Sequence, residues 1–128
     1  MALNSTQNPH GGVQHEEIQI NFTETIAAGA GVKVSKNFTL PGSVTQVMFS
    51  FPPGCSGLVD AKLEKDLKSF YPRRGWLSLD NATPVYYTHS DYYAREPLTF
   101  IAQNRDDANP HTITCTVVIR FERPDWWF

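Results

Sequence analysis

Residues 111–121 read HTITCTVVIRF, and this stretch decides the fold class. Ile113, Cys115, Val117, Ile119 and Phe121 fall on one parity, while Thr112, Thr114, Thr116 and Arg120 fall on the other. A period of two, rich in β-branched residues, marks a strand with one face in a core and the other in water. Residues 104–110 (NRDDANP) are its entry turn, built from Asx and Pro residues that favour turns for backbone reasons.

The same period recurs upstream. Ile18, Ile20 and Phe22 alternate with Gln19, Asn21 and Thr23. A turn at residues 28–31 (AGAG) leads to Val32, Val34, Phe38 and Leu40 on one parity, and Lys36 breaks that face in the manner of an edge strand or a bulge. After Pro41-Gly42 come Val47, Phe49 and Phe51 on one side of a third strand. A Pro/Gly loop (residues 52–57, PPGCSG) precedes Val59, Ala61 and Leu63. In residues 62–70 (KLEKDLKSF), Leu63, Leu67 and Phe70 also suit one short helical turn, but the stretch favours a strand, a turn and a second short strand. Residues 72–75 (PRRG) form another turn, and Trp76-Leu77-Ser78-Leu79 leads into residues 80–84 (DNATP). A strand at residues 85–88 (VYYT), a loop through Tyr92-Tyr93 and a strand at residues 97–103 complete the series. About eight short strands without a convincing helix predict an all-β fold, an antiparallel eight-stranded β-sandwich of jelly-roll type. This arrangement is preferred to an immunoglobulin-like topology, whose pairing of two strand cysteines around a core Trp is absent because Cys55 lies in a loop.

The chain has 128 residues, with 41% hydrophobic, and 11 Lys and Arg against 13 Asp and Glu, a net charge of -2. That length fits one domain able to fold without metal or disulfide. Residues 1–15 read as a polar arm, 16–123 as the sandwich and 124–128 as an aromatic tail. The charge balance speaks against nucleic acid and against a polybasic membrane anchor. No apolar run suits a membrane span, and the start (MALNSTQNPHGGVQ) does not have the pattern of a secretory signal.

Chemistry-bearing patterns are weak. Gly29-Ala30-Gly31 is followed by a strand, not by the helix that a phosphate loop needs. Cys115 sits on the core parity, and no spacing framework supports a bridge to Cys55 or a zinc site. His89-Ser90-Asp91 offers no third ligand, and Ala108 and Pro110 interrupt the spacing by which Asn104, Asp106, Asp107 and Asn109 would hold calcium. No Ser or Cys sits in an elbow, and no carboxylate pair is placed for acid–base work. The expectation is a protein that is not an enzyme and has no cofactor or metal.

The aromatic residues say more. Trp76, Tyr86, Tyr87, Tyr92 and Tyr93 could stack sugar rings around one loop, although strand parity turns one ring of each Tyr pair inward. Arg73 and Arg74 could touch a phosphate or a base, a weak signal from two arginines, and they are placed with the terminal aromatics at a partner interface. Trp126, Trp127 and Phe128 could each bury of order 150–250 Å², either on their own sandwich or on a neighbour.

The order of segments resembles small jelly-roll proteins of viruses of bacteria and archaea, including the capsid decoration (cement) proteins of tailed phages. The resemblance runs over residues 16–121. It lies in EEIQINFTETIAAGAGVKV, FSFPPGCSGLVDAKL, Trp76 before DNATP, and FIAQN leading into NPHTI. It implies a virion structural protein, a decoration or minor capsid component that forms homo-oligomers, with a trimer as the first expectation, and binds a major capsid or other virion protein. The alternative is a carbohydrate- or receptor-binding module using the Trp and Tyr residues named above.

Overall fold

A computed structural model describes residues 13–37, 41–93 and 96–124. Eight strands follow in order: β1 (Val13–Ile26), β2 (Gly31–Lys36), β3 (Gly42–Ser50), β4 (Val59–Lys65), β5 (Lys68–Tyr71), β6 (Val85–Tyr93), β7 (Leu98–Asn104) and β8 (His111–Pro124). They form two four-stranded sheets, β1-β8-β3-β6 and β2-β7-β4-β5, paired antiparallel throughout. Each sheet interleaves early and late strands, which is the two-Greek-key order of a jelly roll. Among the described residues there is no helix long and apolar enough to cross a membrane.

The alternation found in residues 111–121 places β8 at the centre of the first sheet. Ile113, Cys115, Val117 and Ile119 are fully buried there. They meet Phe22 and Ile26 of β1, and Val44, Val47 and Phe49 of β3, on the same inner face. The second sheet supplies Val59, Ala61, Leu63, Leu98 and Phe100 from the other side. Phe22 and Phe100 stack across the gap with ring centroids 5.8 Å apart, so one aromatic pair joins the two layers. Burying a side chain of this size contributes about 2 kcal/mol or more, and the core holds many of them.

Several boundaries differ from those read in the sequence. The register Val13↔Pro124 extends the sandwich at both ends, so residues 13–15 belong to β1 rather than to an arm. Tyr86-Tyr87 and Tyr92-Tyr93 do not flank a loop: β6 is one strand, because it pairs with β3 on both sides of a bulge. The β2 strand ends at Lys36, at the edge of its sheet, with Phe38 and Leu40 outside the described residues. Lys36 reaches across to β1, where its ammonium donates to the carbonyl of Asn21 and lies 5.3 Å from the Phe22 ring. A lysine here occupies an edge acceptor that another strand could otherwise use.

The ambiguous stretch at residues 62–70 is the hairpin β4–β5. Asp66 and Leu67 form its two-residue turn, with φ of 53° and 66°. Positive φ at both central residues matches the right-handed twist of the flanking strands. After β5 the chain crosses from the second sheet to the first. Leu77 bridges to Ala61 of β4, and Ala82 bridges to Phe51 just beyond β3. Leu77 and Leu79 pack against the core along this crossing.

Candidate functional site

The outer face of the second sheet is built from side chains that satisfy one another. Asp60 points outward from β4, between the inward Val59 and Ala61, yet only 7% of it is exposed. Its carboxylate accepts from Ser78 Oγ, from Gln103 Nε2 at 2.8 Å, and from Arg105 through Nε at 2.9 Å and a terminal guanidinium nitrogen at 3.0 Å. That nitrogen also donates to the carbonyl of Gly57 at 2.6 Å. The Arg105 hydrogen bond is the main reason the Asp60 carboxyl is held down to about 2; desolvation opposes it, and Ser78 and Gln103 add to it. Two residues along on the same face, Lys62 lies 4.5 Å from the Trp76 ring and 3.3 Å from Glu64. Ser35 and Thr99 hydroxyls share a bond of 2.8 Å.

The loops beside this face are tied in the same way. Asp80 Oδ1 accepts from the backbone N–H groups of Gly54 and Ser56, at 3.0 and 2.8 Å, which fixes the Pro/Gly loop around buried Cys55. Cys55 and Cys115 are both buried free thiols, and burial raises the pKa of each. In the turn before β8, Asn104 donates to the carbonyls of Ile26 and Asn109 and accepts from Asp106 N–H. Asp106 accepts from the N–H of Ala108 and Asn109, and its Oδ2 lies 2.8 Å from His111 Nε2. The bond with His111, followed by these backbone N–H groups, holds the Asp106 carboxyl at about 2. Of the residues whose oxygens suggested calcium, Asn104 and Asp106 have theirs engaged within the turn. Among the described residues no three His, Cys, Asp or Glu side chains converge as a metal site.

The first sheet is different. Val44 and Val47 of β3 are both fully buried although two residues separate them. The register shifts between Val44 and Gln46 against both neighbours, so Thr45 is an inserted residue. A bulge of this kind puts two consecutive side chains, Thr45 and Gln46, on the outer face. On β6, Tyr87 pairs with Gln46 and Asp91 with Val44, so residues 88–90 stand opposite the single residue Thr45. The distortion opens a groove of about 400 Å³. Glu17 and Gln19 of β1 line it together with Thr45 and Gln46, and Met48, Thr116 and Val118 are at its floor. Thr116 donates to Asn21 at 2.9 Å, and Thr45 makes only a long contact, 3.4 Å, with the carbonyl of Val118. Among the described residues, no hydrogen bond or ion pair engages the side chains of Glu17, Gln19 or Gln46.

The aromatic residues singled out in the sequence do not form one patch. Trp76 belongs to the outer face of the second sheet, over Lys62. Tyr86 turns inward, edge-on to Phe49 at 6.4 Å and tilted against Tyr71 at 5.1 Å. Tyr93 is fully buried, so neither of its ring faces is open to a ligand. Tyr87 is 77% exposed on the outer face of the first sheet, and of Tyr92 only the backbone is described. Arg73 stacks on the Phe70 and Tyr71 rings at 5.5 and 4.8 Å, and Arg74 is exposed in the same turn. Trp126, Trp127 and Phe128 lie outside the described residues. The groove residues Glu17, Gln19, Thr45 and Gln46 were not picked out from sequence. Their signal was present in Val44-Thr45-Gln46-Val47, where two valines three apart break the alternation.

No protein-family model matches the chain, and no curated protein matches it by sequence. Among solved structures it is similar to FlhE at 14% identity and a TM-score of 0.48, over 84% of this chain and 96% of that one. It is also similar to a chain of the cyanophage Pam1 capsid asymmetric unit at 11% identity and a TM-score of 0.49, over 94% of each chain. Likenesses this distant carry no argument about function.

Proposed function

We propose that this chain is a non-enzymatic structural subunit of a virion, a capsid decoration or minor capsid component that assembles through contacts between subunits. The observation that carries the reading is the pairing of Val13 with Pro124. It places the start of β1 and the end of β8 side by side at one corner of a jelly roll. The polar residues 1–12 and the aromatic Trp126, Trp127 and Phe128 are therefore attached at neighbouring points. Three large apolar side chains in a segment attached beside the attachment point of a polar one suit docking onto a second copy or onto a major capsid protein. Jelly rolls serve as capsid domains and also as lectins, so the fold contributes by analogy and the attachment geometry carries the weight.

The test is the mass of the full chain in solution, compared with a form ending at Pro124. An oligomer that falls to monomer on loss of residues 125–128, with an unchanged β-sheet circular dichroism spectrum, is the expected result. A full-length protein that is monomeric and does not sediment with particles, with or without these residues, overturns the reading.

A further inference from the structure

We infer that the bulged groove on the outer face of the first sheet is a binding site for a neutral saccharide. This does not depend on the assembly role proposed above. Polar side chains on a sheet surface ordinarily find partners or point separately into water, as on the second sheet. Here Glu17, Gln19 and Gln46 converge on one concavity of about 400 Å³ without engaging any described neighbour. The volume lies within the range of small-molecule sites.

The lining selects the chemistry. Two carboxamides each offer donors and an acceptor, Glu17 offers acceptors, and the Thr45 hydroxyl offers both. Such mixed groups suit the vicinal hydroxyls of a sugar, each of which also donates and accepts. The floor adds the apolar atoms of Met48 and Val118, against which the C–H face of a pyranose can lie. Tyr87, the register partner of Gln46, adds an exposed aromatic ring beside the groove. Charge argues for a neutral ligand. Among the described residues of the lining Glu17 alone is charged, and Arg120 stands opposite it in the β1–β8 register with no ion pair between them, so the surroundings carry one charge of each sign. An anion would meet the carboxylate, and a cation would gain one carboxylate among otherwise neutral groups.

The bulge gives the site its position. With strict alternation in place of the bulge, Val44 and Gln46 would share a face and Gln46 would turn inward. Bulges often re-aim side chains next to functional sites. Here the re-aimed residues are two of those that line the groove.

The experiment is a titration of the ¹⁵N-labelled full chain with glucose, galactose, mannose, N-acetylglucosamine and their β-linked disaccharides, followed by amide NMR. At least one sugar should give saturable shifts at the Gln19 and Gln46 carboxamides and the Thr45 amide, with millimolar affinity. Gln46→Ala and Tyr87→Ala, both on the outer face, should each weaken it about tenfold, the scale of one or two lost hydrogen bonds or one stacking contact. Trp76→Ala, on the opposite sheet, should leave it unchanged. The inference is overturned if no sugar gives saturable shifts, if the shifts map to Trp76 and Lys62, or if both groove variants bind as the parent does. Oligomer mass is a separate readout, so loss of assembly with sugar binding intact would sink only the structural reading.

Discussion

The two sheets bury inner faces of the same kind and differ in what they do with their outer faces. On the second sheet, Asp60, Ser78, Gln103 and Arg105 close into one hydrogen-bonded group, and Lys62 is shared between Trp76 and Glu64. On the first, a bulge brings Glu17, Gln19 and Gln46 around a groove and leaves them without described partners. Polar groups that satisfy one another hold the structure. Polar groups that converge without protein partners are available for a ligand. Removing side chains from each face should therefore affect different properties: stability on the second sheet, binding on the first.

The largest effect is expected at Asp60. Asp60→Ala strands donors from Ser78, Gln103 and Arg105 on a nearly closed surface. Removing one partner of a fully buried ion pair costs about 3–5 kcal/mol, but Arg105 is half exposed and can return to water. A loss of about 2 kcal/mol in urea unfolding is the expected outcome. A change under about 0.5 kcal/mol, the ordinary range for surface substitutions, would remove the contrast between the faces.

The same group sets a pH dependence. The folded pKa of Asp60 and that of Asp106 are both lowered, to about 2, from an ordinary value near 3.8. A depressed carboxyl pKa means that the folded state binds the proton less readily than the unfolded chain. The stabilisation is present in full above the unfolded pKa and is lost as pH falls through the folded one. Unfolding free energy should hold near neutrality and decline between about pH 4 and 2. In Asp60→Asn the decline should be shallower, with the Asp106 part remaining. An equally steep acid limb in that variant would place the linkage elsewhere.

How much of this was legible in the sequence follows from which interactions are local. The parity of Ile113 to Phe121 and of Val59 to Leu63 is a property of single strands, and it located the core and the fold class. The turn at Asp66 and Leu67 carries no glycine, so it was recognised by its length and flanking pattern rather than by its residues. The Asp60 group joins β4, the crossing segment and the end of β7, residues 18 to 45 apart, and nothing in their local context foretells the meeting. The Tyr pairs read as the flanks of a loop in the sequence, whereas three residues of β6 stand opposite one of β3, an irregularity within one strand that is visible only once both strands are paired. The groove had a local trace in Val44 and Val47, but its other wall comes from β1.

A smaller effect, of opposite sign, is expected at the β4–β5 turn of the second sheet. Leu67 holds a φ of 66° and is 73% exposed, so a branched side chain occupies left-handed backbone without packing in return. Left-handed conformations cost an L-residue roughly 1–2 kcal/mol that glycine avoids. Part of that gain is offset by the greater freedom of glycine in the unfolded chain. Leu67→Gly should therefore stabilise by about 0.5–1 kcal/mol, read as a rise in the urea midpoint at constant slope. Destabilisation would show that Leu67 makes a contact worth more than the strain.

The smallest effect belongs to the first sheet. The side chains of Gln19 and Gln46 make no hydrogen bond to any described residue, so truncating either removes no hydrogen bond within the protein. Each is also paired by its backbone, Gln19 with β8 and Gln46 with β8 and β6, and alanine retains these pairings. Gln19→Ala and Gln46→Ala should change unfolding free energy by less than about 0.5 kcal/mol in the absence of ligand. If the groove binds sugar, the difference between parent and variant should widen as sugar is added, because a ligand stabilises only the state that binds it. A loss comparable with that of Asp60→Ala would mean that these side chains already hold the first sheet together. The two outer faces would then be the same kind of surface.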